Sequence, residues 1–319
     1  MVYLCKRKIE KRKNIKPKPQ NKKMNIPTAA NSLRFNEFDV SDCKDVSSVM
    51  EKIGVKECTL EPIQSNGRSL REYQAIFMGD KPVSVVSDSY QLVQPIKTFA
   101  YADAVLNKLD GFYKYAGFLK GGRQMFIVAG ANGGTWKINQ DEFGKEIIFW
   151  NSFDGSLSNS ISIGTIRLIC SNGLVLTKID DVILNAKHIK NCEGRIGLAV
   201  DRLTGIKNIF AEFEGQMTAL ASKQVDNETA RRFIETQFKG DSTRIENIRQ
   251  DVFNRFENGM GNRGKTAYDL FNGITEYMNH GMSFRNTAVA SAEENQFSSN
   301  YNGANANRMH NVLKELVSL

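Results

Sequence analysis

The chain has no run approaching the roughly 18 consecutive apolar residues of a membrane span, and its lysine-rich start lacks the apolar stretch of a signal peptide. These two absences predict a cytoplasmic protein with no membrane partner. The five cysteines (Cys5, Cys43, Cys58, Cys170, Cys192) are odd in number, widely spaced and free of any CxxC pair. That speaks against a disulfide framework and a zinc site, and leaves buried structural thiols in a reducing compartment. The three histidines, His188, His280 and His310, lie far apart. No Ser/His/Asp or Cys/His signature surrounds them, so a serine or cysteine nucleophile is unsupported. Asp180, Asp181 and His188 would suit a metal-dependent nuclease, but no third carboxylate is placed by motif, and Asp180-Asp181 reads more simply as a turn. No metal and no cofactor are expected.

The body also lacks net charge, although the whole chain carries +8. Residues 1–24 hold ten Lys/Arg against Glu10, leaving 33 basic and 34 acidic residues for the rest. The nucleic-acid affinity that a pI near 9.1 suggests therefore belongs first to the N-terminal arm, where a basic, apolar-poor segment is expected to be disordered and to meet phosphates without specificity. The alternative is a dispensable tail ahead of a start at Met24. Within the body a basic groove has to come from segregation of charge.

What is present is organised around Glu146 to Leu176. Ile147 to Trp150 favour a half-buried strand, Asp154-Gly155 supplies a hairpin turn, and Ile161 and Ile163 alternate with Ser160 and Ser162. At Gly164 the apolar phase shifts to Ile166, Leu168 and Cys170, which predicts a bulge, one bent strand, or a strand giving way to a helix. Arg167, set among these residues, needs a specific partner, either the phosphate of a bound strand or a carboxylate on the helical half that holds the core together.

Upstream, a short helix is expected between Ser41 and Gly54 behind a serine cap, followed by a hairpin around Asn66-Gly67 and a third strand after Gly79-Asp80. Pro95 opens a helix running to about Leu109. Two strands, FYKYAGFL and RQMFIVA, are joined across Gly121-Gly122, and a glycine-rich loop (ANGGTW) follows. Lys114, Lys120 and Arg123 lie among Phe112, Tyr113, Tyr115 and Phe118. Cations interleaved with rings suit single-stranded nucleic acid, and an ordinary sheet with a charged outer face produces the same pattern. Lys178, Lys187, His188, Lys190 and Arg195 form a second basic cluster, either a phosphate-binding surface together with Arg167 or a solvated loop.

Beyond Leu176 helical periodicity takes over: residues 198–225, a helix capped by Asn227, Ser242 to Asn258, Thr266 to His280, and a last helix after an Asn-rich linker (FSSNYNGANANR). The predicted class is α+β, a mixed or antiparallel sheet of hairpins with packed helices in the first half and a helical second half. The expected division is a basic arm (1–25), an α+β core (26–197) and a helical region (198–319) packed on or continuous with that core.

Gly259 to Thr266 (GMGNRGKT) fits the phosphate-loop expression. A true phosphate loop follows a buried strand, whereas IENIRQDVFNRFENG reads as a helix, and no apolar run ending in Asp follows to hold magnesium. The simpler expectation is a helix stop at Gly259 and a helix start near Thr266, with an anion site at its amide end as the remaining option.

SVVSDSYQLVQP, GFLKGGRQMFIVA, FWNSFDGSLSNSISIGTIRLICSNGLVL, KHIKN and TAYDLFNGITEYMNH together resemble the phage- and plasmid-related family catalogued as domain of unknown function nine-three-two, over roughly Leu60 to Leu319. Relatives in that family tend to read "shDGs" and "RvvCqNtL". Here Phe153 stands where the usual His would be, and Gly173 where the usual Thr would be, which speaks against catalysis by that turn. A fainter resemblance, in the order of elements from Pro95 to Leu176, is to ring-forming single-strand annealing proteins. These resemblances imply a mobile-element context in a bacterial host. The expected function is a non-enzymatic, homo-oligomeric protein that binds single-stranded DNA beside phage or plasmid replication proteins. Its phosphate contacts would be Lys114, Lys120, Arg123, Arg167, Lys178, Lys187, His188, Lys190 and Arg195. The alternatives are a non-catalytic interaction or structural component of the element and, third, an ATP- or metal-dependent enzyme.

Overall fold

The computed structural model describes residues 37–157, 159–168, 172–175 and 206–319. Its strands are β1 (Glu37–Asp39), β2 (Cys58–Ser65), β3 (Arg68–Met78), β4 (Lys81–Ser87), β5 (Gly111–Leu119), β6 (Gln124–Ile138), β7 (Asp141–Ser152), β8 (Ser160–Arg167) and β9 (Asn172–Val175). The helices are α1 (Val46–Lys52), α2 (Pro95–Leu109), α3 (Ile206–Ser222), α4 (Asn227–Gln237), α5 (Thr243–Asn258), α6 (Ala267–Glu276), α7 (Ala292–Asn302) and α8 (Ala304–Ser318). A six-stranded sheet runs β1-β5-β6-β7-β8-β9, and a separate three-stranded sheet runs β2-β3-β4. Every pairing is antiparallel, so the class is α+β with hairpin sheets first and helices second.

The large sheet buries both faces, because its strands are apolar at successive positions rather than alternate ones. On one face Met125, Ile127, Ile147, Phe149 and Ile163 join Phe99, Ala102 and Val105 of α2 in a single core. On the other, Phe126, Val128, Ile148 and Trp150 meet Phe297 and Ala306 of the C-terminal helices. A third cluster joins Ile138 and Phe143 of the sheet to Phe213, Phe253, Phe256, Leu270 and Leu313. The helices are therefore packed directly on the sheet. Close approach of α5 and α6 depends on Gly273, where an added Cβ would lie 2.7 Å from the Phe256 nitrogen. Among the described residues no helix is long and apolar enough to cross a membrane.

Several local expectations are met. Pro95 opens α2, and Asn66 and Gly67, both at positive φ, close the β2–β3 hairpin as the two-residue turn of right-twisted strands requires. Ser242 caps α5, Gly259 ends it and Thr266 caps α6.

Others are corrected. Asp45, not Ser41, caps α1, through a reciprocal box with Ser48, and Asp226 rather than Asn227 caps α4. The glycine-rich ANGGTW segment is strand, carried inside β6 across a register shift between Gly130 and Thr135. Gly130 lies under the Phe112 ring, 2.7 Å from where a Cβ would be. The described residues between Ser160 and Val175 form neither one bent strand nor strand and helix: β8 and β9 pair antiparallel, with Arg167 opposite Asn172. The connection after β7 is longer than the two residues Asp154-Gly155, because pairing stops at Trp150 and resumes at Ser160.

The Asn-rich linker is helical through much of its length. Asn300 donates to the Asn279 side chain at 3.1 Å, Asn305 donates to Asn300 at 2.8 Å, and Gln296 donates to the Asn279 carbonyl. Asn279 lies in a π-helical turn, Tyr277–Gly281, that continues α6. Amides that look like linker composition are thus buried partners joining three helical segments, an arrangement that composition does not register. Replacing Asn300 by Ala should leave Asn279 and Asn305 short of partners and lower stability by about 1–3 kcal/mol in urea unfolding. The neighbouring exchange Ser298→Ala should cost less than about 0.5 kcal/mol.

Candidate functional site

Three connections come together beside the ends of β5, β6 and β7. The β5–β6 turn places Lys120, Gly121 and Gly122 consecutively at positive φ (55°, 68° and 101°). Two of these are glycines, which adopt that region freely. Lys120 does not, and its amide is held by the Glu294 carboxylate at 3.2 Å. The same Glu294 closes the capping box of α7. The β3–β4 turn brings Lys81 alongside, its Nζ 3.8 Å from the Cβ position of Gly122.

The β7–β8 loop completes the cluster. Phe153 donates its amide to the Arg123 carbonyl at 2.7 Å, and the Gln124 side chain donates to Ser156 Oγ at 2.7 Å. Asp154 accepts the Ser156 amide at 2.9 Å, while Ser152 Oγ both donates to the Leu157 carbonyl and accepts the Leu157 amide. Phe153, fully buried, anchors the loop in the core. The Asp-Gly-Ser element is therefore a scaffold: its side-chain bonds organise the turn that flanks Arg123. The cations of this end are Lys81, exposed, and Lys120 and Arg123, both half-buried.

Lys114 is spent differently. A register shift in β5 between Tyr113 and Tyr115 sends it across β6 to Glu146, with which it forms a hydrogen-bonded ion pair. Burial works to lower its pKa, while the Glu146 charge and hydrogen bond work to raise it, with a net upward result that keeps it cationic. Of the four rings beside it in sequence, Phe112 is exposed and Tyr113 is buried, donating to Asp103 Oδ1 at 2.6 Å. Tyr115 and Phe118 are half-buried. Most of that aromatic pattern thus packs the sheet.

Arg167 is 2% exposed. Its Nε donates to Asp141 Oδ2 at 3.0 Å, and its guanidinium carbon lies 5.7 Å from the Tyr268 ring centroid. Tyr268 in turn donates its hydroxyl to Asp141 Oδ2 at 2.6 Å. The carboxylate it needed is there, but it comes from the sheet itself and not from the helical half. The helical half contributes the tyrosine. Buried to this degree, Arg167 is not part of the accessible cation group.

Gly259 to Thr266 connects two helices, and each described glycine in it has a packing reason. An added Cβ at Gly261 would lie 2.6 Å from Arg167 Nη2 and 2.7 Å from Asp141 Oδ1, and at Gly259 it would lie 2.4 Å from the Arg255 carbonyl. The amides of Lys265 and Thr266 already donate to Asp269 Oδ2, at 3.0 and 3.1 Å. The amides at this helix start are occupied by the protein's own carboxylate, and Gly261 covers the buried ion pair.

Lys178, Lys187, His188, Lys190 and Arg195, with Asp180 and Asp181, lie outside the described residues. Among the described residues no group of three His, Cys, Asp or Glu side chains could hold a metal. Lys81 is the residue that sequence reading missed. It sits far from Gly122 along the chain, and only the meeting of two turns brings them together.

Two substitutions test the buried pair. Arg167→Ala leaves Asp141 charged and buried, and should cost about 3–5 kcal/mol in urea unfolding. Gly261→Ala should cost at least about 1–2 kcal/mol from its positive φ alone, with the contact to the pair adding to it. Lys265→Ala, at an exposed side chain of the same segment, should stay within about 0.5 kcal/mol of the parent.

Residues 82–300 match the family model described as Domain of unknown function (DUF932). Among curated proteins and among solved structures, nothing matches the chain.

Proposed function

We propose, from the premise that the chain belongs to the DUF932 family, that it is a non-enzymatic, homo-oligomeric protein that binds single-stranded DNA. Its setting would be phage or plasmid replication or recombination in a bacterial cytoplasm, and strand annealing is the specific activity proposed. The observation that carries the reading is the convergence of Lys81, Lys120 and Arg123 from two turns of separate sheets. Cations spaced along a surface meet successive phosphates of a flexible strand, and release of condensed counterions supplies the favourable free energy. No cofactor enters, because base pairing between two held strands drives annealing.

A rival reading is a non-catalytic interaction component of a mobile element. It draws on the near-neutral charge of the chain after Met24.

The test is anisotropy of a labelled single-stranded oligonucleotide across a salt series, with the full chain and with a version beginning at Met24, which removes the basic arm. The expected result is salt-dependent binding by both. The triple exchange Lys81→Ala, Lys120→Ala and Arg123→Ala should weaken binding across all sequences. It should also flatten the log–log salt slope by about 2, since each phosphate no longer neutralised removes about 0.7. Absence of binding at low salt by the Met24 version would reject the proposal.

A further inference from the structure

The β2–β3 hairpin is regular at both ends and irregular in between. Pro62 pairs with Gln74, and Gln64 pairs with Ser69, so Ile63 alone faces Leu70 to Tyr73. Strand β4 pairs as far as Tyr73, and the Asp88 amide extends the ladder to the Glu72 carbonyl. Leu70 and Arg71 are left outside both ladders, on a bulge in β3. From Glu61 to Tyr73 every side chain except Ile63 is exposed. Leu70 and Tyr73 expose 49% and 50% of their surfaces. A two-stranded ribbon carrying apolar side chains into water is marginally stable alone, and such bulges commonly re-aim side chains for recognition.

The charges on the arm identify what it would meet. Glu61, Glu72, Arg68 and Arg71 are all exposed, and none takes part in an ion pair among the described residues. Two acids and two bases cancel. A nucleic acid would favour an excess of base, and a strongly charged protein partner an excess of one sign. A surface with equal numbers of both signs, closely interspersed, complements a second copy of itself, since a twofold axis sets each arm's acids against the other's bases.

We propose that the bulged hairpin from Glu61 to Tyr73 is a self-association arm. It joins two copies of this chain through Leu70 and Tyr73 at the centre and reciprocal Arg–Glu pairs at the rim. The proposal rests on the oligomeric part of the functional reading above, and association is measured without DNA, so the two can fail separately.

Sedimentation velocity on the full chain over a concentration series should show reversible association. Leu70→Asp combined with Tyr73→Ser should weaken it by at least tenfold, with circular dichroism unchanged. An all-acidic arm (Arg68→Glu, Arg71→Glu) and an all-basic arm (Glu61→Lys, Glu72→Lys) should each associate more weakly than the parent. Mixing the two variants should restore association, as a hetero-pair. A parent that stays monomeric throughout overturns the proposal, as does association that none of the variants alters, or a mixture no stronger than its components. Variants that lose oligonucleotide binding while their sedimentation matches the parent also overturn it, and assign the arm to nucleic acid instead.

Discussion

The interaction on which most of the architecture depends is the buried pair of Arg167 and Asp141. Taking two ions out of water costs several kcal/mol each, and attraction offsets this only where hydrogen bonds satisfy the remaining atoms. Both residues belong to the sheet, one at the end of β8 and the other at the start of β7. The sheet alone does not cover them. Tyr268 on α6 supplies a hydroxyl to the carboxylate and a ring face to the guanidinium, and Gly261 closes over both. The order of α5, turn and α6 is thereby tied to the register of β7 against β8. A motif that spells a phosphate loop in letters is used here to seat two helices over an ion pair.

A second constraint runs through amides. The chain from Tyr277 to Asn305 contains few large apolar residues, yet it forms a π-helical turn and two helices. Asn279, Asn300 and Asn305 satisfy one another across those elements, and Phe297 is the ring that carries the segment onto the sheet beside Phe126 and Trp150. Glu294 then reaches from α7 to the Lys120 amide, so the helix that covers the sheet also fixes the turn at which the cations gather. Packing on one face of the sheet and presentation of Lys120 at its end are parts of one arrangement.

Charge follows the same division between inside and outside. Lys114 and Arg167 point inward to Glu146 and Asp141, Lys120 and Arg123 stay at the surface, and Lys81 joins them from the other sheet. The small sheet carries an exposed, bulged ribbon whose charges balance. The proposed function draws on the first group for phosphates and the proposed self-association on the second for a copy of the chain, so nucleic-acid contact and assembly fall on different elements of the β-rich half.

The sequence by itself determined the elements whose signals are local. Pro95 at the first turn of a helix, Asn66-Gly67 between two strands and the helical periodicity from Ser242 to Asn258 each rest on backbone preferences or spacing within a few residues. The α+β class follows from their order. It also marked Arg167 as a residue in need of a partner, because a guanidinium among apolar side chains has few alternatives. Only the tertiary structure decided which partner. Asp141 stands across a strand pair and Tyr268 lies in the helical half, separations for which spacing carries no signal. The same holds for the Asn-rich helices, whose polar residues become core only when three segments meet, and for Lys81 beside Gly122, brought together by two turns. What was legible was the chemistry each residue required; where that requirement was met depended on long-range contacts between elements.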